Sequence, residues 1–249
     1  MMTLRIKRIL CWEDTKKISK RIEKPDDSIK LKYRDDQILY KVSKKSSLYF
    51  YDMDTIDCAL MFQRPLVLNL ADDFFPGGYV SEGSEAQEES LFRRTNYYQT
   101  LKKEMYPIKN DECIYSPNVS LLKKNEYENW SLYDNNNKHE FKKLDFIACP
   151  GIKYPETIIK QGIEYLNDHD VQLLKIKIRL IIQCALTYHH NVIIFGALGC
   201  GPWLNPIHHV ATIFQEVLKE YDGTILTFVF AILTTNKKRM IDYFRDAFL

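Results

Sequence analysis

The sequence predicts an α/β domain of three layers, a mixed and largely parallel sheet with helices on both faces. Two observations predict it. Strand-like and helix-like segments alternate along most of the chain. In Asn191 to Phe195 the last four residues are all apolar, as in a strand covered on both sides. At 249 residues the chain is long enough for one large core, and no linker divides it.

The elements follow in order. Trp12 to Ile22 reads as a helix, whereas Glu23 to Ser47 shows no clear pattern. Leu66 to Ala71 is a buried strand. Ser84 to Gln87 has the form of a capping box, and the helix after it is expected to carry Leu91, Tyr98 and Met105 on one face. Ile114–Ser116 and Leu144–Cys149 are short strands. Between them Lys123 to Lys143 is polar, with Asp134 to Lys138 its most obvious loop. A helical pair is expected near Pro155–Leu166 and Val171–Tyr188, then the Asn191 strand. Asn205-Pro206 reads as N-cap and first helical position of the next helix. Thr224–Leu233 closes the sheet and Asn236–Phe248 is the last helix. These elements suggest a helical N-terminal extension over residues 1–60, packed on a domain of residues 61–249, the two forming a single structural unit.

Composition excludes several classes. Lys+Arg 35 against Asp+Glu 33 gives a net charge of +2, too balanced for a protein that coats nucleic acid, so no direct nucleic-acid binding is expected. Lys142-Lys143 is too short for a nucleic-acid stripe, and Lys237-Lys238-Arg239 reads as a solvated helix start. Six scattered cysteines without a CxxC pair argue against a structural zinc and suit a reducing compartment. His208 and His209 are adjacent and point apart, which suits packing rather than a shared metal. The basic N-terminus shows no signal-peptide core, and the longest mostly apolar run, Ile225 to Leu233, is far below the roughly 20 residues of a membrane helix. A soluble, intracellular protein is expected.

Six of the nine glycines fall in two segments, Gly77, Gly78 and Gly83 after one strand, and Gly196, Gly199 and Gly201 after another. Each segment also precedes a helix, the place where open α/β sheets bind ligands. Glycines let backbone N–H groups approach an anion, and two such loops on one crevice would suit a diphosphate. The alternative is a pair of tight turns. Neither loop has the spacing of a dinucleotide fingerprint or a P-loop.

Leu68-Asn69-Leu70-Ala71, Pro76-Gly77-Gly78, Ala86-Gln87-Glu88-Glu89, Ile114-Tyr115-Ser116-Pro117, Phe195 to Gly201 and Phe230-Ala231-Ile232 occur in that order. Together they resemble the blocks of the microbial-type poly(ADP-ribose) glycohydrolases, from about Leu66 to the C-terminus. The resemblance implies a macrodomain-like fold and hydrolysis of ribose–ribose O-glycosidic bonds. Poly(ADP-ribose) or ADP-ribosylated protein would be the substrate and ADP-ribose the product, with no cofactor and no metal.

By the same resemblance Glu89 is the catalytic acid, Glu88 holds a ribose hydroxyl, and Asn69 contacts that ribose. Gln87, Gly77, Gly78 and Tyr79 belong to the first loop of the binding site. Gly196, Gly199, Cys200, Gly201, Trp203 and Asn205 belong to the second, with Trp203 a candidate to stack on adenine or else a core tryptophan. One departure stands out. Tyr79 occupies the place of the signature's third glycine, where it is expected to cover or narrow the site.

Adjacent glutamates diverge by about 100° on a helix, so they cannot flank one bond as a retaining pair, and one acid cycling between both roles fits better. Acidic residues in a first helical turn also occur merely because they favour the dipole. Two further functions compete with the polymer hydrolase: a non-catalytic ADP-ribose-binding macrodomain and a mono-ADP-ribosyl hydrolase.

Overall fold

In the computed structural model, residues 2–35, 45–133, 141–225, 227–234 and 239–249 are described. The expected loop at Asp134 to Lys138 lies outside them, as do residues 236–238 of the last expected helix. The main sheet has seven strands: β1 (Ile29–Lys32), β2 (Ser47–Tyr51), β3 (Leu66–Leu70), β4 (Glu112–Ser120), β5 (Lys143–Cys149), β8 (Val192–Phe195) and β9 (Thr227–Ala231). Their order is β1-β4-β5-β3-β8-β9-β2. β4 pairs antiparallel with both neighbours, while β5, β3, β8, β9 and β2 pair in parallel. The sheet is thus mixed and largely parallel.

The period of two along each strand assigns the layers. Leu66 and Leu68 of β3, Phe228 and Phe230 of β9, and Ile193 and Phe195 of β8 face one core. α4 (Asp168–Thr187), α5 (Ile207–Glu220) and α6 (Met240–Ala247) cover that core. Val67, Val229 and Ile194 face the other, covered by α1 (Leu4–Ser19), α2 (Thr55–Ala59) and α3 (Gln87–Arg94). The three-layer expectation holds.

Several local expectations do not. The segment before residue 60 is more than a helical extension, because it supplies both edge strands, β1 and β2. The first helix begins at Leu4, on a Thr3 cap, and ends at Ser19. Pro155 to Leu166 is not a helix but a hairpin of β6 (Thr157–Lys160) and β7 (Ile163–Leu166). Its two-residue turn, Gln161-Gly162, takes positive φ at both positions, the geometry that matches strand twist.

Ser84 caps nothing. α3 starts at Gln87 with Ala86, which has no side-chain acceptor, in the cap position, and the Gln87 amide bonds the backbone of β3 instead of reaching back to a cap. The helix also stops at Arg94. Thr95 turns extended and its hydroxyl donates to Leu91 O, while Leu122 and Lys123 N–H groups take Arg94 O. Tyr98 and Met105 reach the same core through short 3-10 turns. Asn205 is not an N-cap either: Pro206 stands there, and α5 begins at Ile207.

Candidate active site

The first glycine loop runs from the end of β3 to the start of α3. Asn69 shares the β3 face that α3 covers, and it is fully buried. Two features shape the loop. Asp72 Oδ1 accepts from the Phe74 and Phe75 N–H groups, each at 2.8 Å, an Asx-type turn. Gly77 and Gly78 then take φ of +82° and +52°, where a side chain is strained. At Gly78 a Cβ would also lie 2.7 Å from Glu89 Oε1. Tyr79 has φ of −102°, a backbone that any residue adopts. The backbone at this position therefore does not require glycine.

This loop folds over the two glutamates at the N-terminus of α3. Glu88 is only 3% exposed, and Glu89 only 5%. Glu88 Oε1 accepts from Asn69 Nδ2 at 3.1 Å and Gly77 N at 3.2 Å, and Oε2 accepts from Asp72 N at 2.7 Å. Burial pushes its carboxyl up to about 8, against the pull of those donors toward the charged form. Glu89 Oε1 accepts from Tyr79 N at 3.1 Å, and Oε2 takes no hydrogen bond among the described residues.

One glutamate is locked on both oxygens; its neighbour keeps one free. Solvated glutamates that merely favour a helix dipole would not be enclosed in this way. Gln87 completes the junction: its Oε1 accepts from Leu70 N at 2.9 Å and its Nε2 donates to Leu68 O at 2.8 Å. The amide thus fastens the helix start to the strand end.

The second glycine loop follows β8, the neighbour of β3 in the sheet, so both loops open at the same end. A Cβ at Gly196 would meet Leu70 at 3.2 Å, and one at Gly199, whose φ is +77°, would meet the Asn205 amide at 2.7 Å. Asn205 Nδ2 donates to Ile152 O at 2.6 Å and Gly199 O at 2.9 Å, which ties this loop to the one after β5. Within the loop, Leu198, Cys200, Leu204 and Asn205 donate their N–H groups to loop carbonyls. The N–H groups of Gly199 and Gly201 make no such bond among the described residues, and nothing lies within 4 Å of a Cβ built at Gly201.

Cys200 turns inward, its thiol toward Leu198 O, and burial raises its pKa. Trp203 is partly buried against Gly151, with the Lys153 ammonium 5.5 Å from its ring centre. Phe74, Phe75 and Tyr79 stand on the rim, each more than half exposed.

His208 and His209 pack edge-on against Tyr165, and His209 Nδ1 accepts from Leu166 N. Among the described residues no three His, Cys, Asp or Glu side chains are grouped to hold a metal ion. No described helix is long and apolar enough to cross a membrane.

Sequence reasoning missed two contributors. Asp72 was legible as an aspartate two residues before a pair of turn amides. Lys153 left no local signal, since its partners come from other loops.

The sheet, its two glycine loops and the enclosed glutamate pair define a macrodomain-like fold with a candidate hydrolytic site. Residues 14–124 match the family model of the microbial-type PARG catalytic domain, poly(ADP-ribose) glycohydrolase, so the resemblance read from the sequence is borne out over that stretch. The match takes in the first glycine loop and both glutamates; the second loop lies beyond it.

Among solved structures, the poly(ADP-ribose) glycohydrolase of Thermomonospora curvata is similar at a TM-score of 0.77 and 19% identity, over 97% of this chain and 99% of that one. The same enzyme bound to the inhibitor ADP-HPD gives 0.70 and 19%, over 96% and 98%. The enzyme of Deinococcus radiodurans in complex with ADP-ribose gives 0.69 and 22%, over 83% and 85%. At these identities the likeness is one of fold. No curated protein matches the chain.

Proposed function

We propose that this protein hydrolyses the ribose–ribose O-glycosidic bonds of poly(ADP-ribose) and releases ADP-ribose. The observation that carries the reading is the unequal engagement of the glutamate pair. Glycoside hydrolysis through an oxocarbenium-like transition state needs an acid for the leaving oxygen and a base for water. Glu89, with one oxygen anchored by Tyr79 N and one free, is placed to do both in turn. It gives its proton to the leaving oxygen as the glycosidic bond breaks, then takes one from the water that attacks the sugar carbon.

Glu88, held by three donors, organises the first loop and, with Asn69, positions the ribose beside it. The free N–H groups of Gly199 and Gly201 suit the diphosphate, and Trp203 suits the adenine. The Deinococcus structure binds ADP-ribose and the Thermomonospora structure binds ADP-HPD, which supports a crevice of this kind for an ADP-ribosyl group. A module that only binds ADP-ribose has no use for an enclosed carboxylate with a free oxygen, so the enzyme reading is preferred.

The test is incubation of the purified chain with poly(ADP-ribose), followed by chromatography. Free ADP-ribose accumulating with time supports the proposal. Intact polymer, with ADP-ribose bound in calorimetry, would replace it by the binding module.

A further inference from the structure

Lys153, on the loop after β5, reaches both glycine loops. Its ammonium donates to Asp73 Oδ1 at 2.9 Å and lies 3.8 Å from Asp72 Oδ2, both on the first loop. It also stands 5.8 Å from the ring centre of Phe74 and 5.5 Å from that of Trp203, one ring from each loop. The backbone beneath it has little freedom. A Cβ at Gly151 would lie 2.6 Å from Gly199 Cα and 3.3 Å from Trp203 Cε3, so this loop is pressed against the second glycine loop.

The side chain is 41% exposed, and the hydrogen bond to Asp73 uses one of its three protons. The hydrogen bond to Asp73, and the charges of Asp72 and Asp73, raise its pKa above the usual lysine value. A cation that reaches Trp203 stands beside the loop whose Gly199 and Gly201 N–H groups make no bond to loop carbonyls, where it can meet an anion held there.

We infer that Lys153 is a substrate-binding residue whose ammonium contacts the diphosphate seated on the Gly199–Gly201 loop, and that it sets a preference for diphosphate over monophosphate ligands. The inference rests on the proposed function, which supplies the diphosphate. The contact joins N–H groups that orient the phosphates to a charge that counts them. A second phosphate adds negative charge within reach of the ammonium, whereas the sugar and base add none.

The test is calorimetry of the full chain and its Lys153→Met and Lys153→Arg variants with ADP-ribose, ADP, AMP and adenosine, at two salt concentrations. Methionine keeps the length and packing of the stem and removes the charge. Lys153→Met should weaken ADP-ribose and ADP by about tenfold, a modest value because the lysine is partly solvated. AMP should weaken less and adenosine not at all, and the salt dependence of ADP-ribose binding should flatten. Lys153→Arg should keep wild-type affinity within a few fold.

Unchanged ADP-ribose affinity in Lys153→Met, with wild type binding, overturns the assignment alone. An equal loss for adenosine overturns it too, because Lys153 would then act only by bridging Phe74 and Trp203. A wild type that binds none of the four ligands overturns the proposed function, and this assignment with it.

Discussion

Replacing Gly78 with alanine perturbs Glu89 without altering it chemically. The new methyl would lie 2.7 Å from Glu89 Oε1 and 3.3 Å from its Cδ, where ordinary contact is about 3.4 Å, so the carboxylate must retreat by roughly 0.7 Å. The atom that moves is the tip of a side chain, so relief is cheap in stability. The residual cost is the left-handed backbone at φ +52°, about 1–2 kcal/mol, or a few degrees in Tm for a chain of this size. Catalysis is less forgiving: a misplacement near 1 Å can cost about 100-fold.

Gly77→Ala is the contrast. Its methyl would meet the ring of Phe92 at 2.4 Å, and Phe92 is 2% exposed with nowhere to go. Overpacking and backbone strain together should cost about 2–5 kcal/mol. The assay pairs polymer hydrolysis with thermal melting. Gly78→Ala should lose about 100-fold in kcat for a small fall in Tm, whereas Gly77→Ala should lose chiefly stability. Near wild-type turnover in a folded Gly78→Ala protein would refute the placement of Glu89 under this loop.

Two further predictions concern the same end of the sheet. The Glu88 carboxyl titrates near 8 in the folded protein against an unfolded value near 4.5, so the stability of its neutral form is complete below the lower value and is lost as pH rises through the upper one. Relative to Glu88→Gln, wild type should therefore melt progressively lower between about pH 5 and pH 8; a constant difference would mean that its three donors keep Glu88 ionised throughout. Asn205→Asp removes the amide donor and sets a carboxylate against Ile152 O, Gly199 O and Trp203 O, at a cost of about 3 kcal/mol or more. A melting temperature within a degree or two of wild type would show that the amide does not tie the loops.

Much of the fold was legible because burial on both faces leaves a plain mark. β3, β5 and β8 are near-continuous apolar runs, and α4 carries its pattern for five turns. Short edge elements were not. β1 reads Ile-Lys-Leu-Lys, an alternation too brief to separate from a loop, and lysines of this sort commonly protect sheet edges. In the hairpin, Ile158, Ile159 and Ile163 fit a helical face about as well as a strand, and the deciding signal was the Gln161-Gly162 pair.

Ser84 shows that a local motif yields to tertiary bonds, since the turn it should have capped is displaced by the Gln87 clasp on β3. At the site, Asn69, Glu88, Glu89 and the glycines stood out because they fall in short blocks, in order, that resemble those of a known family. Lys153 and the ties of Asn205 were not, since they depend on three loops meeting.

The most direct test of the account is Glu89→Gln, which keeps the size of the side chain and a hydrogen-bond acceptor for Tyr79 N but cannot transfer a proton. Polymer hydrolysis, ADP-ribose affinity and Tm should be measured together on wild type and variant. The account predicts turnover lower by at least about 10²–10⁴-fold, with affinity and Tm close to wild type. A Glu89→Gln protein that is folded, binds ADP-ribose and still hydrolyses polymer at near the wild-type rate would contradict it.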